Sequence, residues 1–238
     1  AFLDRRLLSP PTRLDFLRLE SMGRKAFTFY DQPDAGMWEL RSRARVHTTS
    51  ALMCWAALDR LAIIAQHVGE PQKASDWREK ANQVKGVILD RAWSERRQAF
   101  TESFEGEHLD AGVLLMIEVG FLDASEPRMS STIRQVEATL ARGPHLLRYE
   151  AADDFGLPTT AFNSCSFWRI DALARMGRTE EARDYFNQLL ECRSALGMMS
   201  EDCDLKTGEA WGNYPQTYSM VGIINCAVRL SRPWEKAT

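Results

Sequence analysis

"TEEARDYFNQLLECR", Thr179–Arg193, is the clearest run of secondary structure in this 238-residue sequence. Ala182, Tyr185, Phe186 and Leu189 fall at i, i+3, i+4 and i+7, which is one face of a 3.6-residue period. Thr179 is placed to cap the first turn, and Gly177 to end the helix before it. A second kind of run lies upstream. "LDAGVLLMIEVGFL", Leu109–Leu122, shows only Asp110 and Glu118 among its apolar residues, so a helix there is buried on most sides. One-faced helices alternating with buried ones imply two layers. An inner ring of buried helices wrapped by an outer ring is an all-α toroid.

Working outward, helices are predicted at about 12–29, 47–68, 71–91, 108–119, 127–141, 162–176, 179–194 and 215–231. Alternating β patterns are scarce. "GRTEEARDYFNQLLE" resembles a tetratricopeptide helix, but no 34-residue period accompanies it.

Composition bounds the function. Thirty Lys and Arg against 33 Asp and Glu give a net charge of −3. With no basic stripe, nucleic acid is not an expected partner. Nor is a membrane: the longest apolar run, "LMCWAALDRLAIIAQHVG", is interrupted by Asp59 and Arg60. The five cysteines, Cys54, Cys165, Cys192, Cys203 and Cys226, form no Cys-x-x-Cys pair. They read as reduced thiols in a cytoplasmic protein. The histidines His47, His67, His108 and His145 show no metal spacing, so no structural zinc and no cofactor are expected.

The unusual chemistry lies in the long loops, where sites held by a rigid scaffold concentrate. In "DAGMWELR" (Asp34–Arg41) an indole precedes a carboxyl. In a dry pocket such a carboxyl has a raised pKa, which suits a general acid. A loop tryptophan capping the core, beside a surface Glu39–Arg41 pair, is the plainer reading of the same residues. In "LLRYEAADDFG" (Leu146–Gly156) Arg148 offers a fork of donors, and Asp153 and Asp154 offer acceptors, as sugar hydroxyls require. A salt-bridged surface loop would use the same groups. "MMSEDCDLKTGEAWGNYPQTYSM" (Met198–Met220) crowds Glu201, Asp202, Asp204 and Glu209 before a Gly-Asn-Tyr-Pro turn. An EF-hand is excluded, because Gly208 is position 7 counted from Asp202 where that loop needs glycine at 6. Lys206-Thr207-Gly208 reads as a tight turn. A general base must be an ionised carboxylate, and the residues alone leave Glu201 and Glu209 both open.

"DAGMWELR", "RYEAADDFG", "FNSCSFWRIDALARMGRTEEARDYFNQLL" (Phe162–Leu190) and "SEDCDLKTGEAWGNYPQTYSMVGIINCAVRL" (Ser200–Leu230) together resemble glycoside hydrolase family 15, the glucoamylase, glucodextranase and trehalase family. The resemblance implies an (α/α)6 barrel that inverts α-glucosidic bonds in an α-glucoside or oligosaccharide substrate without a cofactor. It implies that Glu39, after the Trp of the Trp-Glu pair, is the general acid, and that Glu201, after the Ser of the Ser-Glu pair, is the base. It implies that Arg148 and Asp154 line the sugar subsites; Trp38, through the stacking a pyranose needs, and Arg41 nearby are expected as further substrate contacts. Inversion requires the two carboxyls roughly 6.5–9.5 Å apart in a shared cavity.

The sequence also departs from the family pattern. In "VHTTSA" (Val46–Ala51), Thr49 and Ala51 stand where the family tends to have Tyr and Lys. The family's early Trp-Leu-Arg-Asp motif is absent. About eight helices stand against the twelve of a full barrel. The expectation is therefore a single toroid catalytic domain over 1–238 that lacks its N-terminal third and either self-associates through an open seam or has its first segment rearranged to cover it. The competing readings are an inactive helical scaffold and another toroid sugar enzyme such as an epimerase, which would want a loop histidine.

Overall fold

A computed structural model describes Asp4, Arg6, residues 11–40 and residues 42–231. The chain is all-α in character. Its described residues hold eight α-helices, and the strands among them are two or three residues long. They gather into two compact units. One comprises residues within 1–93 together with 103–106, and the other residues 94–102 together with those within 107–238.

The first unit is a three-helix assembly of α1 (Arg13–Phe29), α2 (Thr48–His67) and α3 (Pro71–Arg91). α1 starts with a capping box, in which Thr12 and Asp15 satisfy each other's backbone N–H groups. α2 supplies the core through Leu52, Trp55, Leu58, Leu61 and Ala65, and α3 through Trp77, Ala81, Val84 and Ile88. α2, of 20 residues, is long and apolar enough to cross a membrane by length and composition. Here it is a core helix packed against both α1 and α3, and Asp59 in its middle is paired with Arg78 and Arg60. Gly23 lets α1 approach closely, since a Cβ there would collide with the Leu61 side chain.

The second unit is built around α6 (Asn163–Arg175), which packs on α7 (Thr179–Glu191) and α8 (Thr217–Leu230) and touches α5 (Pro127–Leu140). α6 is buried along most of its length despite its polar residues: Asn163 Nδ2, Ser166 and Arg169 are bonded, while Ser164 Oγ has no hydrogen-bond partner among the described residues. Ser166 Oγ accepts the Leu146 N–H at 2.9 Å. The Arg169 guanidinium bonds Glu137 and the Gly143 carbonyl and lies 4.1 Å from the Tyr185 ring centroid. α7 keeps the amphipathic face read from its sequence, with Ala182 and Leu189 fully buried. Its cap differs from expectation. Arg178 is the N-cap residue and Thr179 the first helical one, with no side-chain cap; Arg178 instead pairs with Glu181 and Glu137.

The helix expected over 108–119 is the main departure. Its residues are buried as predicted, but they form a 3₁₀ turn, Ala111–Leu114, and a four-residue α4, Leu115–Glu118. The chain before them is held extended: the Ala111 N–H bonds the Arg148 carbonyl and the Glu150 N–H bonds the Leu109 carbonyl. The Asp110 carboxylate then caps Gly112 at 2.6 Å. A long-range backbone pairing thus outcompetes the local helical one.

The short strands are β1 (Trp93–Ser94), β2 (Ala99–Phe100), the hairpin β3 (Ala141–Arg142) and β4 (His145–Leu146), and an antiparallel sheet in the order β5 (Thr160–Phe162), β6 (Asp202–Asp204), β7 (Ala210–Trp211). This last sheet carries the candidate site.

α8 meets α6 through Gly222, where a Cβ would clash with the Phe167 ring. Its other face is apolar and exposed at Tyr218, Val221, Ile224 and Val228. Gly222→Ala is expected to force the two helices apart and to destabilise the protein by about 1–3 kcal/mol, the usual cost of overpacking. Chemical denaturation measures it, and a neutral or stabilising result would contradict the packing.

Candidate active site

Glu201 lies just before β6, and its main chain is tied on both sides. Its N–H donates to the Asn213 carbonyl at 2.9 Å and its carbonyl accepts from the Asn163 N–H at 3.0 Å. The preceding Ser200 is buried. Its carbonyl accepts from Asn163 Nδ2 at 2.9 Å and from Ser219 Oγ at 2.8 Å, and its own hydroxyl donates to the Asp202 carbonyl at 2.6 Å. The first residue of α6, the start of α8 and the Gly-Asn-Tyr-Pro turn therefore all hold this one segment.

The side chain is held as well. Glu201 Oε2 accepts the Asn213 N–H at 3.1 Å and Asn213 Nδ2 at 3.0 Å. Gly212, at φ 75°, passes directly against it, and a Cβ there would stand 2.7 Å from Oε2. Only glycine allows both the left-handed backbone and the close approach. No hydrogen bond from the described residues reaches Oε1. Glu209 is placed differently. It is exposed on the β6–β7 connection, and its carbonyl accepts the Asp204 N–H at 2.9 Å. The tight turn between is an Asx turn, with Asp204 Oδ1 accepting from the Lys206 and Thr207 N–H groups at 2.8 Å.

Arg148 donates to Asp202 Oδ2 at 2.7 Å and lies 4.8 Å from the centroid of the Phe162 ring. Asp202 is buried, and burial raises its carboxyl above the usual range against the opposing pull of Arg148. Of the two acids in the "DD" pair, Asp153 is half-buried and accepts the Tyr149 hydroxyl, whereas Asp154 is exposed. Burial works against the Asp153 charge. Hydrogen bonds from Tyr149, Phe155 N–H and Gly156 N–H outweigh it, so this carboxyl sits below its ordinary range. Tyr149 is buried and its hydroxyl is pushed up, first by desolvation and then by Asp153. Phe155 and Leu157 stand exposed at the tip of this loop.

Trp38 and Glu39 belong to the first unit and the residues just described to the second. Asp34 and Arg45 exchange both backbone hydrogen bonds, at 2.9 and 3.2 Å, and close the loop that carries them. Within it the Leu40 N–H reaches the Ala35 carbonyl at 2.8 Å, which places Glu39 in the left-handed region at φ 56°. For a non-glycine residue this conformation costs about 1–2 kcal/mol, and such strain clusters at functional sites. Glu39 is exposed and Trp38 is half-buried. Gly36 packs on the His47 ring, where a Cβ would lie 2.9 Å from ring atoms. His47 is buried, and its Nε2 has no hydrogen-bond partner among the described residues. Thr49 and Ala51, the two departures from the family pattern, are buried in the first turn of α2. Arg41 lies outside the described residues.

Sequence reasoning missed Asn213, Asn163 and Gly212, whose roles are to hold a carboxylate rather than to react. The "GN" before Tyr214 was legible only as a turn. It also missed a group with metal-ligating character: His145, Cys192 and Cys203, with one ligand atom from each lying within 4.8 Å of the other two. The Cys192 thiol is pulled down to about 5, first by hydrogen bonding with Cys203 and then with His145; Cys203 is pushed up by the same bond.

Solved structures similar to this chain include a bacterial glucoamylase complexed with acarbose, at TM-score 0.73 and 14% identity, covering 91% of this chain and 38% of that one. Another is a glycosidase in complex with glucose, at TM-score 0.72 and 15% identity, covering 86% and 57%. They place the fold in the all-α toroid class. The family model for glycosyl hydrolases family 15 matches residues 27–228, and the chain belongs to that family. Curated relatives include the trehalases of Mycolicibacterium smegmatis, 32% identical over 222 residues, and of Mycobacterium tuberculosis, 33% identical over 216. The matches cover 92% and 90% of this chain. The chain spans about a third of the length of these relatives, 33% and 32%.

Removing the Tyr149 hydroxyl tests the loop beside the site. Tyr149→Phe is expected to cost about 1–2 kcal/mol near neutral pH, the range for a hydrogen bond to a partly solvated charged group. A depressed carboxyl contributes stability above its unfolded pKa of about 3.9 and loses it as pH falls through the lower folded value. The gap between variant and wild type should therefore narrow in acid. Urea denaturation across pH measures it, and a gap that widens in acid would contradict the assignment.

Proposed function

We propose that the protein carrying this chain hydrolyses an α-glucosidic bond with inversion, Glu201 being the general base and Glu39 the general acid. The observation that carries this reading is the Glu201 carboxylate. It is fixed through Oε2 by two hydrogen bonds from Asn213, while no described residue bonds Oε1. A base in an inverting glycosidase must be oriented yet keep an oxygen for the attacking water. Membership of glycosyl hydrolases family 15 supports the substrate class. Because relatives matched over nine-tenths of the chain are named trehalases, trehalose is the first substrate to test. In this reading Arg148, oriented by Asp202 and Phe162, presents donors to a sugar hydroxyl, and Trp38, Arg41 and exposed Asp154 supply further contacts. The strained backbone at Glu39 aims the acid.

Self-association belongs to the same reading. The exposed stripe of Tyr218, Val221, Ile224 and Val228 on α8 is an apolar surface that soluble monomers usually cover.

Glu201→Gln should lower turnover of trehalose about 10²–10⁴-fold with the circular dichroism unchanged. Glu209→Gln should have far less effect. Equal loss from both would show that the base is misassigned. Light scattering of the 238-residue chain should report a species larger than a monomer, which Ile224→Glu with Val228→Glu returns to one. A monomeric parent chain would remove the seam.

A further inference from the structure

His145, Cys192 and Cys203 come from three separate elements of the second unit. His145 is in β4, Cys192 is the C-cap residue of α7, and Cys203 is the central residue of β6. They share no spacing in the sequence that marks a metal motif, yet one ligand atom of each lies within 4.8 Å of the others. Both cysteines are free thiols. The His145 ring lies against the Cys192 thiol, and its Nδ1 has no hydrogen-bond partner among the described residues. We propose that these three side chains bind a soft divalent cation, Zn²⁺ in type, with water in the fourth position.

The geometry fits a modest contraction. Zn–S bonds of about 2.3 Å and Zn–N bonds of about 2.0–2.1 Å in a tetrahedron set ligand atoms about 3.5–4 Å apart. Cys192 is exposed while Cys203 is buried and His145 half-buried, so the outer thiol can swing inward, and its open side gives the ion an entry path and a place for the water. Two sulfurs and an imidazole select zinc or cobalt over magnesium or calcium, which prefer oxygen. A disulfide between Cys192 and Cys203 would use the sulfurs alone and leave the imidazole without a role.

The consequence for the site is mechanical. Cys203 pairs with Ala161 on β5 and with Ala210 on β7, at the centre of the sheet whose β6 follows Glu201 directly. A metal there ties the end of α7 and the β3–β4 hairpin to the strand that directly follows the proposed base. The ion is a staple, not a reactant.

The test uses the full chain, reduced and stripped with chelator, then titrated with Co²⁺ and separately with Zn²⁺. One equivalent of Co²⁺ should produce thiolate-to-metal charge-transfer absorption and tetrahedral d–d bands, and Zn²⁺ should displace it. Cys192→Ser removes an exposed side chain and should fold normally by circular dichroism, while weakening Zn²⁺ roughly tenfold or more, since even outer-shell partners are worth 10–100-fold. His145→Ala should do the same. Cys54→Ser, in the other unit, should bind as the parent does. The proposal is overturned if no charge-transfer band appears, if the band survives in both ligand variants, or if non-reducing peptide mapping recovers Cys192 linked to Cys203.

Discussion

The second unit depends on the immobilisation of one carboxylate-bearing residue. Glu201 is hydrogen-bonded through its N–H, its carbonyl and its side chain to two distant parts of the chain, the N-terminus of α6 and the Gly212–Asn213 turn. Those ties, with the Ser219 bond to the neighbouring Ser200 carbonyl, fix other elements as well. The Asn163 bonds set where α6 begins, the Ser219 bond sets the first turn of α8, and the left-handed Gly212 sets how the chain returns from β7. An ionisable group exposed enough to react must be held by structure that is itself buried. Ser200 at 5% exposure, Asn163 at 1% and Ser219 at 0% supply that support.

The same logic explains why the central helix of this unit is rich in polar residues. α6 could have been a plain apolar rod. Instead Asn163, Ser166 and Arg169 are buried with partners on other segments. A buried polar group is tolerated when it is bonded and costly when it is not. Each such bond therefore selects one arrangement of loops around the helix, where apolar contact alone would accept several. In the first unit the selection is made mainly by apolar packing, with Gly23 accepting Leu61 and Trp77. Its candidate acid sits on a loop closed by a single backbone pair.

Strain and shifted charge also occur within the motifs that carry the family resemblance. Glu39 is in the left-handed region without being glycine. Asp202 is buried beside Arg148, with burial raising its carboxyl. Asp153 is drawn down by the hydroxyl and backbone donors around it. These are local departures from what the chain would do alone, and packing around them maintains them.

Seven of the eight predicted helices were legible in the sequence to within about three residues, because amphipathic periodicity, a proline at N1 of α3 and α5, and glycine after α6 are local signals. Two candidate site residues, Glu39 and Glu201, stood out through their motifs. The choice of Glu201 over Glu209 came from resemblance, and the geometry that separates them, one clamped and one exposed, exists only once β6 and β7 pair. The eighth helix failed for the same reason: Leu109–Leu122 has helical composition, but backbone pairing with Arg148 and Glu150 takes its first residues. The His145, Cys192 and Cys203 group was invisible too, since proximity among residues from three elements is made by the fold. Periodicity is a property of neighbours along the chain and can be read there. Hydrogen-bond partners, exposure and ligand groups belong to neighbours in space, which only the tertiary structure assigns.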